Sequence, residues 1–158
     1  MHSRIELSNK PLVVEQGIAY CQDAELGAMS IFIGNVRQHD LDHSLSHIDY
    51  EIDHDLGKAS IEGICSRAHK RFGSLRHFVA HRYGQVAIGE SAIIIVTASV
   101  KRVAAMQASR FMLERIKEET PVWKHQIYQN GNDEWLGYHR IPLQATTKSA
   151  PSGKSSMR

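Results

Sequence analysis

Lys117 and Lys124 stand on either side of Pro121, where a helical pattern meets an extended one. Residues 101 to 120, KRVAAMQASRFMLERIKEET, read as a helix that ends at Thr120, because proline lacks a backbone N–H and restricts the residue before it. In the extended VWKHQIY that follows, Val122, Lys124 and Gln126 share one face while Trp123, His125 and Ile127 share the other. A sharp reversal at Pro121 folds Lys124 back towards the last helical turn. Two amines beside an apolar wall depress each other's pKa by like charge and by desolvation, which is what a nucleophilic or proton-transferring lysine needs. At 100° per residue Arg102 and Lys117 fall about 60° apart around the helix. This spacing lets both border one cleft, with Met106, Arg110 and Leu113 between them. Residue type alone argues the other way, since a lysine at a helix end is ordinarily solvated and favours the C-terminal dipole. Convergence with Arg102 is what moves the balance towards chemistry.

Two further cationic places belong with this junction. Arg37 closes the run GAMSIFIGNVR, and Lys101–Arg102 open the long helix. Cations at a helix N-terminus oppose its dipole, so that pair is misplaced for stability alone. It makes sense if it joins the backbone N–H groups in holding an anion such as a phosphate, and a solvated pair is the even alternative.

The elements that must position these residues follow from patterning. At 158 residues the chain is one domain's worth, with an ordinary 42% hydrophobic and 23% charged content. A formal net charge of +2 suits a small anionic ligand better than a long polyanion. Cys21 and Cys65 lie in apolar helical contexts without a second pair, as small core residues in a reducing compartment do. The polar first residues lack a signal peptide's apolar stretch and no 18-residue apolar run occurs, so a cytoplasmic protein without membrane spans is expected.

Strands are predicted over 3–7, 27–37, the IDYEID run from 48 to 53, 75–84 and 91–100, the last with a continuous apolar middle that marks a central strand covered on both faces. Helices are predicted over 13–22 and 55–72. In the second, Asp55 is the expected N-cap, Leu56 begins a buried stripe and Gly73 is the stop. Residues 38–47 read as a mobile polar loop, and 84–90 as a turn-rich connection. The histidines His39, His43, His47 and His54 are expected to titrate in solvent rather than hold a metal. Gly34 inside a strand points to a bulge or a close backbone approach. After the turn at QNGND, residues 134–137 are expected to form one more short strand or to cover a pocket. Residues 1–143 are read as one α+β domain, a mixed or antiparallel sheet with helices packed on it, and 144–158 as a disordered tail.

GAMSIFIGNVRQHD, DYEIDHDLGKASIEGICSRAHKRFG, HRYGQVAIGESAIIIVTASVKR and MLERIKEETPVWKHQIY resemble, in order and spacing, the catalytic (large) subunit of molybdopterin synthase. The most specific parts are G-x-V-R at Gly34 to Arg37 and K-x(3)-P-x-W-K from Lys117 to Lys124. The resemblance implies the α/β-hammerhead type of fold. It also implies conversion of a cyclic pyranopterin monophosphate to molybdopterin, with sulfur delivered by the C-terminal glycine thiocarboxylate of a small ubiquitin-like partner. Large subunits are expected to pair into a homodimer, the core of a heterotetramer, and neither metal nor other cofactor is implied for the transfer. Carried over by position, Lys117 and Lys124 are the catalytic lysines, with Lys117 nearest the inserted tail and Lys124 assisting at the pterin. Asn35, Val36, Arg37, Lys101, Arg102, His125 and Gln126 complete the substrate-binding set, and Arg140, or equally His139, reaches across the dimer.

Two positions depart from that pattern. Lys101 stands where the family usually has histidine, which removes an acid–base group and keeps an anion-binding one. Gln126 replaces a usual glutamate, and loss of a carboxylate near Lys124 favours its neutral amine. These departures keep a second reading open, a catalytically weakened paralogue that binds the small subunit or a phosphorylated ligand. A nucleic-acid-binding domain is the third reading, and it fails on Trp123, which is expected to be buried opposite the lysine face.

Overall fold

The computed structural model describes residues 2–137. In chain order the elements are β1 (His2–Ser8), α1 (Val14–Cys21), β2 (Ala28–Asn35), β3 (His39–Asp40), β4 (His43–Ile52), α2 (His54–Phe72), β5 (Leu75–Arg82), β6 (Gly84–Ala87), β7 (Ser91–Ser99), α3 (Arg102–Glu119), β8 (Val122–Tyr128) and β9 (Asp133–Leu136). The architecture is α+β, as expected, but with two sheets rather than one. The first has the order β1-β5-β7-β2, parallel only between β1 and β5. The second is antiparallel, β3-β4-β8-β9, with β6 also on β4.

The unbroken apolar run of β7 is explained by cover on both faces. Ile93 and Ile95 pack with Ile61, Ile64, Ala108, Met112 and Ile116 of α2 and α3, whereas Ile94, Val96 and Ala98 pack with Cys21 and Phe78 on the α1 side. Helix α1 lies so close that a Cβ on Gly17 would meet Phe78 Cδ1 at 2.6 Å and Val96 Cγ2 at 2.7 Å. A Cβ on Gly34 would likewise meet Ile93 Cγ2 at 2.8 Å, and the β2–β7 register shifts between Gly34 and Asn35, so this glycine marks both a close approach and an irregularity.

Three local readings are corrected. Residues 43–47 are strand rather than loop, because His47 and Leu45 pair with Ile127 and Tyr128 of β8 and Leu45 is buried at the centre of a third apolar cluster. Polar composition hid a strand whose outward face is solvated. Helix α2 is capped by Asp53 rather than Asp55: its Oδ1 accepts from the Leu56 N–H at 2.8 Å, and Leu56 itself, in the first turn, is 63% exposed. The connection after Tyr83 contains β6, paired with β4 from His47 to Tyr50. Gly73 ends α2 at φ 92° with its N–H on the His69 carbonyl. Among the described residues no helix is long and apolar enough to cross a membrane. Residues 144–158, read as a tail, lie outside the described residues.

Candidate active site

Local chain geometry makes the junction at Pro121 as abrupt as its sequence requires. The Thr120 N–H closes α3 on Ile116 O at 3.1 Å, and the Val122 N–H returns to Thr120 O at 2.8 Å, a three-residue turn centred on Pro121. Thr120 is buried, its hydroxyl 3.1 Å from that of Ser60 on α2, so the turn is anchored. Strand β8 therefore starts against the end of α3. Its alternation sets Val122, Lys124 and Gln126 opposite Ile52, Tyr50 and Ile48 of β4. That is the inward face, where Tyr50, Ile48 and Val86 form the third cluster with Val122 packed against it.

Lys124 is thus a cation on an apolar face. Its Nζ lies 6.0 Å from the Tyr50 ring centroid. Its pKa is lowered, first by burial and then by the charges of Lys117 and Arg37, with Asp40 opposing. Beneath it Tyr50 meets the ring of His81 edge-on, centroids 5.6 Å apart. His81 is buried, its Nδ1 lies 2.8 Å from the Arg82 carbonyl, and burial drives its pKa down to about 4. It is a neutral imidazole whose Nδ1–H donates to that carbonyl. Tyr50, pushed up to about 12 by burial, is a neutral phenol.

Arg37 reaches the same place from the end of β2. The Val36 N–H donates to Glu90 O at 2.9 Å and the Gly89 N–H to Val36 O at 2.7 Å, so the turn before β7 grips the chain next to Arg37. Glu90 is held in turn by Arg82, whose side chain is buried and whose Nη1 and Nη2 reach Glu90 Oε2 at 3.4 Å and Gln85 O at 3.1 Å. Asn35 Oδ1 accepts from Ser91 Oγ at 2.8 Å. Arg37 is exposed and ion-paired to Asp40 at 3.3 Å.

The structure therefore brings together Arg37, Lys117 and Lys124, with Asn35 and the buried Val36 steering the first. Lys101 and Arg102 are not with them. Fifteen residues at about 1.5 Å each put Arg102 about 22 Å from Lys117 along the helix, so the shared cleft expected from angular position does not exist within one copy. The face between them is open: Met106 is 64% exposed, Arg110 is paired with Glu114, and Leu113 leans on the core instead. His125 points to the outer face, 2.6 Å from Asp133 and stacked on Trp135 at 4.2 Å. Trp123 shares that face and is half-buried rather than buried. Gln126 is buried on the lysine face, where its Oε1 accepts from Tyr128 OH at 2.8 Å, and Tyr128 OH also lies 3.1 Å from Glu134. Arg140 and His139 fall outside the described residues.

Sequence reasoning missed Asp40, Tyr50, His81 and the Arg82–Glu90 pair. Tyr50 alternates with Ile48 and Ile52, a signal that marked it as inward, but nothing local showed which strand faced it. Two cavities of about 250 and 240 Å³ lie elsewhere, one lined by residues including Asp23, His69 and Arg76, the other by residues including His43, Tyr128 and Glu134. Neither includes Arg37, Lys117 or Lys124. Arg37 and Lys117 are exposed, and Lys124 is half-buried on the inward face of β8 beside them.

A family model described as "MoaE protein" matches residues 7–119. The chain belongs to the MoaE protein family. The molybdopterin synthase catalytic subunit 1 of Mycobacterium tuberculosis is 33% identical over 131 residues, 83% of this chain and 88% of the relative. The molybdopterin synthase catalytic subunit of Synechococcus elongatus is 31% identical over 134 residues, 84% of this chain and 81% of the relative. The crystal structure of molybdopterin synthase from Staphylococcus aureus is similar at a TM-score of 0.80 and 26% identity, covering 84% of this chain and 96% of that one. The MoaE match spans Arg37, Lys101, Arg102 and Lys117 and stops just before the turn that delivers Lys124.

Proposed function

We propose that this chain is the catalytic subunit of a molybdopterin synthase, working in the cytoplasm in molybdenum cofactor biosynthesis. It inserts the dithiolene sulfurs into cyclic pyranopterin monophosphate from the C-terminal thiocarboxylate of a small ubiquitin-like subunit. The observation that carries this reading is the lowered pKa of Lys124 among Lys117, Arg37 and the buried Tyr50 and His81. An amine whose ammonium form is disfavoured by burial and by like charge gives up its proton more readily than an ordinary lysine.

In this reading Lys117, exposed at the end of α3, meets the inserted glycine tail and polarises the thiocarboxylate. Lys124 moves protons at the pterin, and Arg37 holds its phosphate with the backbone of Asn35 and Val36 beside it. Lys101 and Arg102 serve the substrate of a second copy, because about 22 Å separates them from Lys117 on their own helix. Arg140, or equally His139, is assigned the same crossing role. A homodimer with one small subunit at each end supplies the walls that a single copy lacks.

Reconstitution with the thiocarboxylated small subunit and the pyranopterin substrate tests this directly. Lys124→Ala is expected to reduce molybdopterin formation about a hundredfold or more while leaving partner binding intact. Full turnover by that variant rejects the assignment. Binding of the small subunit by the parent chain without any product, restored by Gln126→Glu, would mark it instead as a binding paralogue.

A further inference from the structure

Among the groups whose charge acts on Lys124, Asp40 alone favours the ammonium form. From α3 comes Lys117, from the end of β2 Arg37, and from β3 Asp40. Tyr50 of β4 contributes an uncharged ring, and His81 of β5 an imidazole that burial keeps neutral. On β8 itself Gln126 is uncharged and is occupied by Tyr128, whose hydroxyl also meets Glu134.

Within the Arg37–Asp40 ion pair the carboxylate is the deeper member, with 24% of its side chain exposed against 79% for the arginine. Arg37 therefore reaches over Asp40 from solvent. An anion approaching the guanidinium meets the carboxylate behind it. The hairpin that carries Asp40 pairs it with His43 across Leu41, which sits at φ 52°, a left-handed value that a leucine adopts only under constraint.

We propose that Asp40 is a further residue of this anion site, an internal carboxylate that pairs with Arg37 and competes with an incoming phosphate for it. The inference rests on the anion site proposed above but not on turnover. Its consequence is a site tuned for exchange, since an anion that displaces Asp40 is held less tightly than three bare cations would hold it.

The test compares the parent full-length chain with Asp40→Asn and Asp40→Glu, using inorganic phosphate as the probe and NMR of isotopically labelled lysine side chains as the second readout. Asp40→Asn is expected to bind phosphate about two- to fivefold more tightly, the range of an exposed ion pair. The Lys124 amine should titrate at lower pH than in the parent. Asp40→Glu, which keeps the charge, should track the parent in both. Unchanged or weaker phosphate binding in Asp40→Asn, or a Lys124 titration that does not move, overturns the proposal. If the folded parent binds phosphate yet makes no molybdopterin with its partner, the proposed function fails while the result for Asp40 stands.

Discussion

Helix α3 carries a cation pair at its first turn and a single lysine in its last, and the two ends are held in opposite ways. At the C-terminal end Lys117 agrees with the dipole, and the buried Thr120 and the turn at Pro121 bring a second lysine against it. At the N-terminal end Lys101 occupies the cap position with no side-chain hydrogen bond to the helix, and no acidic residue lies in the first turn. Both Lys101 and Arg102 are exposed, and among the described residues neither has an ion-pair partner. Folding accounts for the first arrangement and leaves the second at a loss. These cations stand where they weaken their own helix, and no counter-charge for them lies among the described residues.

The largest expected effect at the C-terminal end is chemical. Lys117→Ala should cut molybdopterin formation by about two to four orders of magnitude with an unchanged thermal midpoint, measured on the reconstituted complex. If turnover persists, the lysine is only a favourable helix terminus and the two ends are alike. Acid titration addresses the buried strand β5, whose His81 lies beneath Tyr50. His81 and His77 are both buried and lowered to about 4 from 6.5, so the unfolded chain binds more protons between those values. Stability is therefore fully present above about pH 6.5 and is lost as pH falls towards 4, by at most about 3 kcal/mol per histidine. Urea midpoints measured at pH 7, 5.5 and 4.5 check the slope, and a flat profile would place both imidazoles in solvent.

Glu90→Ala should cost about 2 kcal/mol, since it strips the buried Arg82 of its carboxylate. Broadened NMR signals at Val36 and Arg37 would show that the grip on the strand end went with it. The smallest effect has the opposite sign. Lys101→Ser should stabilise the protein by about 1 kcal/mol through a proper N-cap while weakening substrate binding. A variant that is more stable and equally active would leave the N-terminal pair without a purpose.

Much of the fold was legible because the signals were local. The apolar middle of β7, the proline after α3 and the glycine after α2 each act within a turn or two of themselves. The site divides along the same line. Lys117 and Lys124 were found together because seven residues and one proline join them. Asp40, Tyr50 and His81 arrive on three other strands, and their meeting with Lys124 depends on the pairing of β4 with β8 and on how β5 lies beneath, which no local pattern encodes. Arg102 shares an angular sector of α3 with Lys117 but not an axial level, since fifteen residues of rise, about 22 Å, lie between them. Residues 43–47 have a loop-like polar composition because only one face of that strand is apolar.

The mismatch between β2 and β7 leaves Ala92 as a residue without a partner, since Gly34 pairs with Ile93 and Asn35 with Ser91. Along β2 itself the sides alternate without a break from Ala28 onward, and that alternation turns valine inward at position 36 and arginine outward at 37. Losing or gaining a single codon within β2 would exchange them, seating a guanidinium in the hydrophobic interior. Point substitution can adjust the cationic cluster by degrees, whereas a change of length in this short stretch would abolish it outright.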